Sequence, residues 1–497
     1  MWSTPVLIAA ATLLFFIYKR IVKSSRFWRC IAEIPGPKGK PVVGNLFDVM
    51  KTPEQLFVNR RKWAKEFYPI YKTQCFGKVF VSIMSPEDAE KVINVKVHER
   101  KGSGYDVISN WLGNGLLHSH GQKWKSRRKI LTPAFHFSIL QEFVSIFNKE
   151  AEGLIGELMK HCDEPYIDVL KPVTEFTLCS IIETSMGIHL YEQKSSESYK
   201  NAVTDLGEIM IYRIVRPWLL VNPIYKLSKV HAKEKEYLDV LHNFSESVIA
   251  ERKKTFDINH NSYSVKKRRA MLDLMLQAQQ TGADIDDAGL REEVDTFLFG
   301  GHDTTSMAIC FALMALANEK RIQNFIKEDI YNEIIEVLGD SGRPPTYSDL
   351  LKLSFMERCI KETLRLYPSI PMINRISGAD IKTHSGYTIP KGTDINIYIY
   401  DIHRNADVWE NPTKFDPDRF LPENIAKRHP FSFIPFSAGS RNCIGQKYGL
   451  CEIKAALCGI LRKFQLEPVD TPETLKYKSD IVLRSAKEIK VKFVPRK

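Results

Sequence analysis

The sequence is poor in the signatures that mark nucleotide and zinc enzymes. No Walker-type loop, no His-Glu-x-x-His and no Cys-x-x-Cys pair occurs, so neither P-loop chemistry nor a zinc-protease helix is indicated. Gly102-Ser-Gly104-Tyr-Asp-Val lacks the third glycine of a dinucleotide fingerprint and does not clearly follow a strand. Nine cysteines, an odd number scattered without a Cys…His zinc spacing, exclude an evident disulfide framework or structural zinc site and fit a reducing compartment. Internal repeats and low-complexity tracts are absent too. With 44% hydrophobic and 26% charged residues, the 497-residue chain has an ordinary globular composition, which excludes a disordered tail, a collagenous repeat and a polytopic membrane protein.

What is present begins at the N-terminus. Val6 to Tyr18 reads VLIAAATLLFFIY without a charge, and Met1, Trp2 and Pro5 extend the neutral stretch to about 18 residues, near the length that crosses a bilayer. Lys19, Arg20, Lys23, Arg26 and Arg29 follow, so the positive-inside rule places the rest of the chain in the cytosol. A cleaved signal fits worse, because the basic cluster follows the apolar run and no small-residue cleavage site is evident. Residues 1–20 are therefore expected to be a transmembrane signal anchor. Residues 21–45 form a basic stop and a hinge stiffened by Pro35, Pro37 and Pro41, and 46–497 the catalytic body. Under that topology the sequon at Asn243 is a chance match. The net charge of +12 alone does not choose between nucleic acid, an anionic membrane and an acidic partner.

Helical periodicity dominates from about 50 to 365, including a long helix through LREEVDTFLFGGHDTTSMAICFALMALAN. After Pro368 the pattern turns to short strands and turns such as YTIPKGTDINIYIY, and helix returns near Gln446. Residues 251–269 read as an exposed basic loop. The expected fold is one large α+β domain, mainly α with a smaller β region.

The most specific motif is Phe436-Ser-Ala-Gly439-Ser-Arg441-Asn-Cys443-Ile-Gly445, where a loop gives way to a helix. Glycines on both sides of Cys443 allow backbone to crowd a flat cofactor, and N–H groups at a helix start stabilise a thiolate. Arg441 offers a cation to a carboxylate on the same cofactor. The other eight cysteines read as core filler. The pattern FxxGxRxCxG resembles the haem-binding signature of the cytochrome P-450 superfamily, whose other elements occur upstream in order. Glu362 and Arg365, on one helix face, with Arg419 in FDPDRF, resemble the structural trio that supports the haem loop. Trp124, Arg128 and Arg375 match residues that contact the haem propionates. Gly300-Gly301-His302-Asp303-Thr304-Thr305 matches the oxygen pocket, where Asp303 and Thr304 would deliver protons.

The run Glu293 to Thr305 is similar to the helix signature of family 4, microsomal enzymes that hydroxylate fatty acids and related lipids near the chain end. Most of that family carries Glu where this chain has Gly300. The resemblance therefore implies haem b (iron protoporphyrin IX) bound through the Cys443 thiolate without an ester bond, and a roomier pocket with more in-chain hydroxylation. It further implies an endoplasmic reticulum membrane enzyme facing the cytosol. Such an enzyme uses O2, a small apolar substrate and electrons from NADPH-cytochrome reductase, with cytochrome b5 as an auxiliary donor and no nucleic acid. Lys123, Lys125, Arg127, Lys129, Lys447 and Lys454 offer a basic dock for an acidic redox partner. The alternatives are an oxygen-independent isomerase or dehydratase and a non-catalytic haem carrier, and retention of Asp303 and Thr304 stands against both. By the same analogy the substrate pocket draws on 108–117, 206–221, 297–305, 370–373 and 482–485.

Overall fold

A computed structural model describes residues 25–189, 196–256, 270–319, 330–340 and 342–496. The expected anchor and most of the basic 251–269 segment lie outside the described residues. Among the described residues, no single helix is long and apolar enough to cross a membrane.

Among the described residues, the helices that build the site and its support are α1 (Pro53–Glu66), α2 (Gly121–Leu131), α3 (Phe137–Lys160), α4 (Leu170–Ile181), α5 (Ser196–Ile214), α6 (Lys229–Thr255), α7 (Asp287–Asn318), α8 (Ser354–Leu366) and α9 (Gln446–Lys463). The strands used below are β1 (Ile70–Cys75), β2 (Lys78–Ile83), β3 (Ile167–Asp168), β4 (Ile373–Ile376), β5 (Asp394–Ile397), β6 (Phe464–Pro468) and β7 (Lys490–Pro495). Helices dominate and the strands form a smaller region, the α+β class expected. The larger sheet has the order β1-β2-β5-β4, with β2 and β5 parallel and the other pairs antiparallel, and β3-β7-β6 form a second sheet.

The β1–β2 hairpin departs from the helical reading of 50–365. Its Val79-Phe80-Val81 and Ile83 suit a pleated surface, and Gly77, at φ 81°, makes the turn. The helix α6 also continues through Arg252 to Thr255, where a loop was expected, because the Arg252 guanidinium is held in a fork by Asp273 at 2.7 and 2.8 Å. The proline segment is docked against the body: Lys72 N donates to Pro35 O at 2.8 Å.

At the centre lies α7, capped by the Asp286 carboxylate, which accepts from Gly289 N at 2.7 Å. It packs on α4, α6, α8 and α9. Of its two interior glycines only Gly301 is required by packing, since a Cβ there would meet Ile181 Cδ1 at 2.5 Å, whereas one at Gly300 would meet nothing within 4 Å. The close α7–α4 approach thus rests on Gly301, and Gly300 leaves space open at the cavity.

Candidate functional site: a cysteine loop, a cation cradle and an apolar cavity

The Cys443 loop is tied from both sides. Cys443 N donates to Phe436 O at 2.9 Å, and Ser437 and Gly439 take φ of 58° and 66° to make the turn. A Cβ on Gly439 would come within 2.7 Å of Ile93 O, so this glycine is required twice over. Cys443 is the only exposed cysteine of the nine, and what it is exposed to is an internal cavity. Burial pushes the free thiol up; the Gly445 N–H and the Arg128 guanidinium act in the opposite sense, favouring the thiolate. Six others, Cys75, Cys179, Cys310, Cys359, Cys451 and Cys458, are buried thiols pushed up chiefly by desolvation, in keeping with core filling.

Behind the loop, Glu362 and Arg365 form a fully buried fork at 2.6 and 2.7 Å, and Arg419 Nε lies 3.4 Å from the same carboxylate. Arg365 also donates to His403 O, Pro412 O and Lys414 O, and Glu362 accepts from Asp416 N at 2.7 Å. His403 Nε2 in turn accepts from Ile434 N at 2.8 Å, two residues before Phe436. Burial, with Arg365 and Arg404 nearby, pushes His403 down to about 3, which keeps the imidazole neutral and able to accept. The ion pair on α8 therefore holds the cysteine loop through His403, a link that no local sequence pattern revealed.

On the cavity wall Trp124 lies under Arg441, whose guanidinium carbon is 4.6 Å from the ring centroid. Arg128 donates to Asn442 O and Oδ1 at 3.0 and 2.9 Å. Arg441 donates to Leu117 O at 3.1 Å and Arg375 to Asn374 O at 3.1 Å. Lys101 joins them, pushed well down by burial and by the repulsion of Arg375 and Arg441. Arg441 is pushed down to about 10, first by burial and then by Arg375. Among the described residues none of these four cations forms a salt bridge. Clustered buried cations without a carboxylate are costly, so the set demands an anionic partner. The two propionates of a haem held at Cys443 would meet that demand, and the residues fit the group. Lys101 was missed because a lone lysine before Gly102 carries no local signal.

Of the expected acid–alcohol pair, Thr304 lines the cavity and donates to Gly300 O at 2.8 Å. Asp303 does not share that wall: both its oxygens accept from Arg484 Nη2, at 2.8 and 2.7 Å, and Arg484 Nε reaches Asp480 at 2.9 Å. Residues 479–481 reach the cavity, rather than the expected 482–485, because Val482 and Leu483 are buried and Arg484 is committed to Asp303. The other pocket segments contribute Ile108, Leu116, Ile211, Phe297 and Ile370 among others to a cavity of about 490 Å3. Two members of the expected basic dock are internal. Arg127 is buried against Glu293 at 3.8 Å, and Lys454 donates to Leu350 O and Glu357 at 2.8 Å. Lys123 is paired with Glu292 at 2.8 Å, whereas Lys125, Lys129 and Lys447 are exposed.

A cavity-facing cysteine, a cluster of cations without salt bridges and an apolar cavity crossed by a central helix fit a protein that would hold a haem by a cysteine thiolate. Comparison with known proteins agrees. The chain belongs to the cytochrome P450 family, whose model matches residues 34–493. It is similar to Cytochrome P450 4c3 of Drosophila melanogaster, 38% identical over 99% of this chain and 94% of that one. Cytochrome P450 4V2 of Homo sapiens is 36% identical over 99% and 95% respectively, and Cytochrome P450 4d2 of Drosophila melanogaster 37% over 99% and 98%. The chain is thus a family 4-like monooxygenase, an oxidoreductase that uses molecular oxygen.

Proposed function

We propose that this protein hydroxylates a long apolar substrate, a fatty acid or other lipid, a terpenoid or a foreign hydrocarbon, at or near a chain end. The observation that carries the reading is the cavity itself, with Cys443 at its base, Thr304 on its wall and chiefly aliphatic and aromatic lining elsewhere. Bound haem would supply dioxygen activation. Cys443 would hold the iron as a thiolate, Trp124, Arg128, Arg375 and Arg441, with Lys101, would hold the propionates, and Phe436, which lines the cavity, would pack against the group from the loop. Thr304, with its hydroxyl at the cavity, would pass a proton inward. Asp303 would act through a reorganisation of its Arg484 pair, since its carboxylate is turned away from the cavity. Retention of both residues favours this over an isomerase or a turnover-free carrier.

The space beside Gly300 supports a noncovalent haem and a pocket open to in-chain attack. Acid–organic extraction should release the haem from the wild type, and haem retained by the protein would overturn that part. Exposed apolar residues Trp218, Leu220, Val221, Ile224 and Leu227, the last 91% exposed, support attachment to the endoplasmic reticulum membrane beside the N-terminal anchor, with the body in the cytosol. Electrons would come from NADPH-cytochrome reductase, with cytochrome b5 as a second donor, and Lys125, Lys129 and Lys447 would face the acidic partner. Reconstitution with reductase, NADPH, O2 and lauric acid tests the whole reading. Hydroxylated product with matching NADPH consumption is expected; haem binding without substrate-dependent turnover would contradict it.

A further inference from the structure

The cavity wall holds a cation that neither the haem cradle nor the internal ion pairs account for. On α1, Leu56, Arg60 and Trp63 fall at helical spacing on the face that lines the cavity, so Arg60 occupies a position of the apolar stripe. Among the described residues, every other charged side chain on that wall has an identified role. Lys101, Arg128 and Arg441 belong to the cradle. Arg61 is paired with Asp401 at 2.8 Å and lies about 5 Å from the rings of Phe57, Tyr398 and Tyr400, Lys78 is 3.6 Å from Asp394, and Asp480 is held by Arg484. Among the described residues Arg60 has no salt bridge, side-chain hydrogen bond or ring contact. It is half-buried among the residues that line the cavity.

We propose that Arg60 receives the anionic head of a long-chain carboxylate whose tail runs along the apolar cavity toward Cys443. This rests on the lipid reading above and narrows it to acids bound head to Arg60. A guanidinium presents a planar fork that matches a carboxylate in two parallel hydrogen bonds, and the other cations on that wall belong to the cradle or to ion pairs. Docking at Arg60 therefore fixes which end of the substrate faces the thiolate side.

The test compares equilibrium binding of laurate, methyl laurate and dodecylamine to the haem-loaded full chain and to Arg60→Ala and Arg60→Glu. Charge-assisted contacts at a partly solvated site contribute about tenfold in affinity. The wild type should bind laurate about tenfold more tightly than its methyl ester, Arg60→Ala should lose that preference, and Arg60→Glu should transfer it to dodecylamine. Methyl laurate should bind all three proteins alike, which shows that the variants are folded. If both variants keep the laurate preference, the assignment of Arg60 is overturned while the monooxygenase reading stands. If the wild type neither binds nor oxidises any of the three, the lipid reading fails and the proposal with it.

Discussion

Replacing Arg365 by Ala is the perturbation that most directly probes how the fold holds the site. Arg365 and Glu362 are both 0% exposed, and the guanidinium satisfies the carboxylate and three backbone carbonyls at once. Its removal leaves Glu362 with the Asp416 N–H and Arg419 at 3.4 Å, and leaves the His403, Pro412 and Lys414 carbonyls without this donor. Breaking a buried pair by deleting one partner costs about 3–5 kcal/mol, against roughly 0–1 for an exposed pair. For a chain of this size, at about 2.1 cal/mol/K per residue, the melting temperature should fall by roughly 3–5 °C. Because His403 carries the restraint to Ile434, haem retention should fall with it. The control is Lys160→Ala, whose partner Glu157 is half in solvent, and it should shift melting by less than about 1 °C. Arg365→Lys keeps the charge but not the fork and should fall between. Thermal melting and haem content at one scan rate give the comparison. An Arg365→Ala protein as stable and haem-replete as the Lys160→Ala control would refute the reasoning.

Three further outcomes follow from the geometry. Gly301→Ala should cost about 1–3 kcal/mol by overpacking against Ile181, whereas Gly300→Ala, meeting open space, should be neutral or stabilise by about 0.5–1 kcal/mol; chemical denaturation separates them. Burial pushes both Glu293 and Asp295 up to about 7, from ordinary values of 4.5 and 3.8. The folded state thus holds protons that the unfolded chain has released, and these groups lose the protein stability as pH rises from about 4 to about 7. Denaturation of Glu293→Gln and Asp295→Asn across that range should show a flatter fall than the wild type, and an unchanged slope would contradict the assignment. Arg484→Met should leave Asp303 buried without its cation, raising peroxide release per NADPH consumed in the reconstituted system, while Cys443 ligation stays intact by absorption spectroscopy.

What could be read in the sequence was what lies within one short window. The cysteine loop, the Glu362–Arg365 spacing and the glycine pair on α7 each carry their meaning within ten residues or so, and the structure sets the loop and the glycines on one cavity with the ion pair behind the loop. Missed features join distant segments. Arg484 reaches Asp303 across 181 positions, His403 meets Ile434 across 31, and Lys101 enters the cradle only because its loop lies beside Arg375. Burial was equally hidden: Arg127 and Lys454 read as surface charge in basic runs, yet Glu293 and Glu357 draw them inside. The β1–β2 hairpin was lost to a helical reading because Tyr71 to Gln74 is polar enough to break a clean alternation, and its place beside β5 depends on a strand more than 300 residues later.

The central claim is that Cys443 is the iron ligand. Its most direct test is the absorbance of the dithionite-reduced protein with carbon monoxide, recorded on a chain lacking residues 1–30 and on its Cys443→Ser variant. The account predicts the long-wavelength maximum of thiolate-ligated haem in the parent and its loss in the variant. A maximum at the position typical of histidine ligation in the parent, or one that survives in Cys443→Ser, would contradict it.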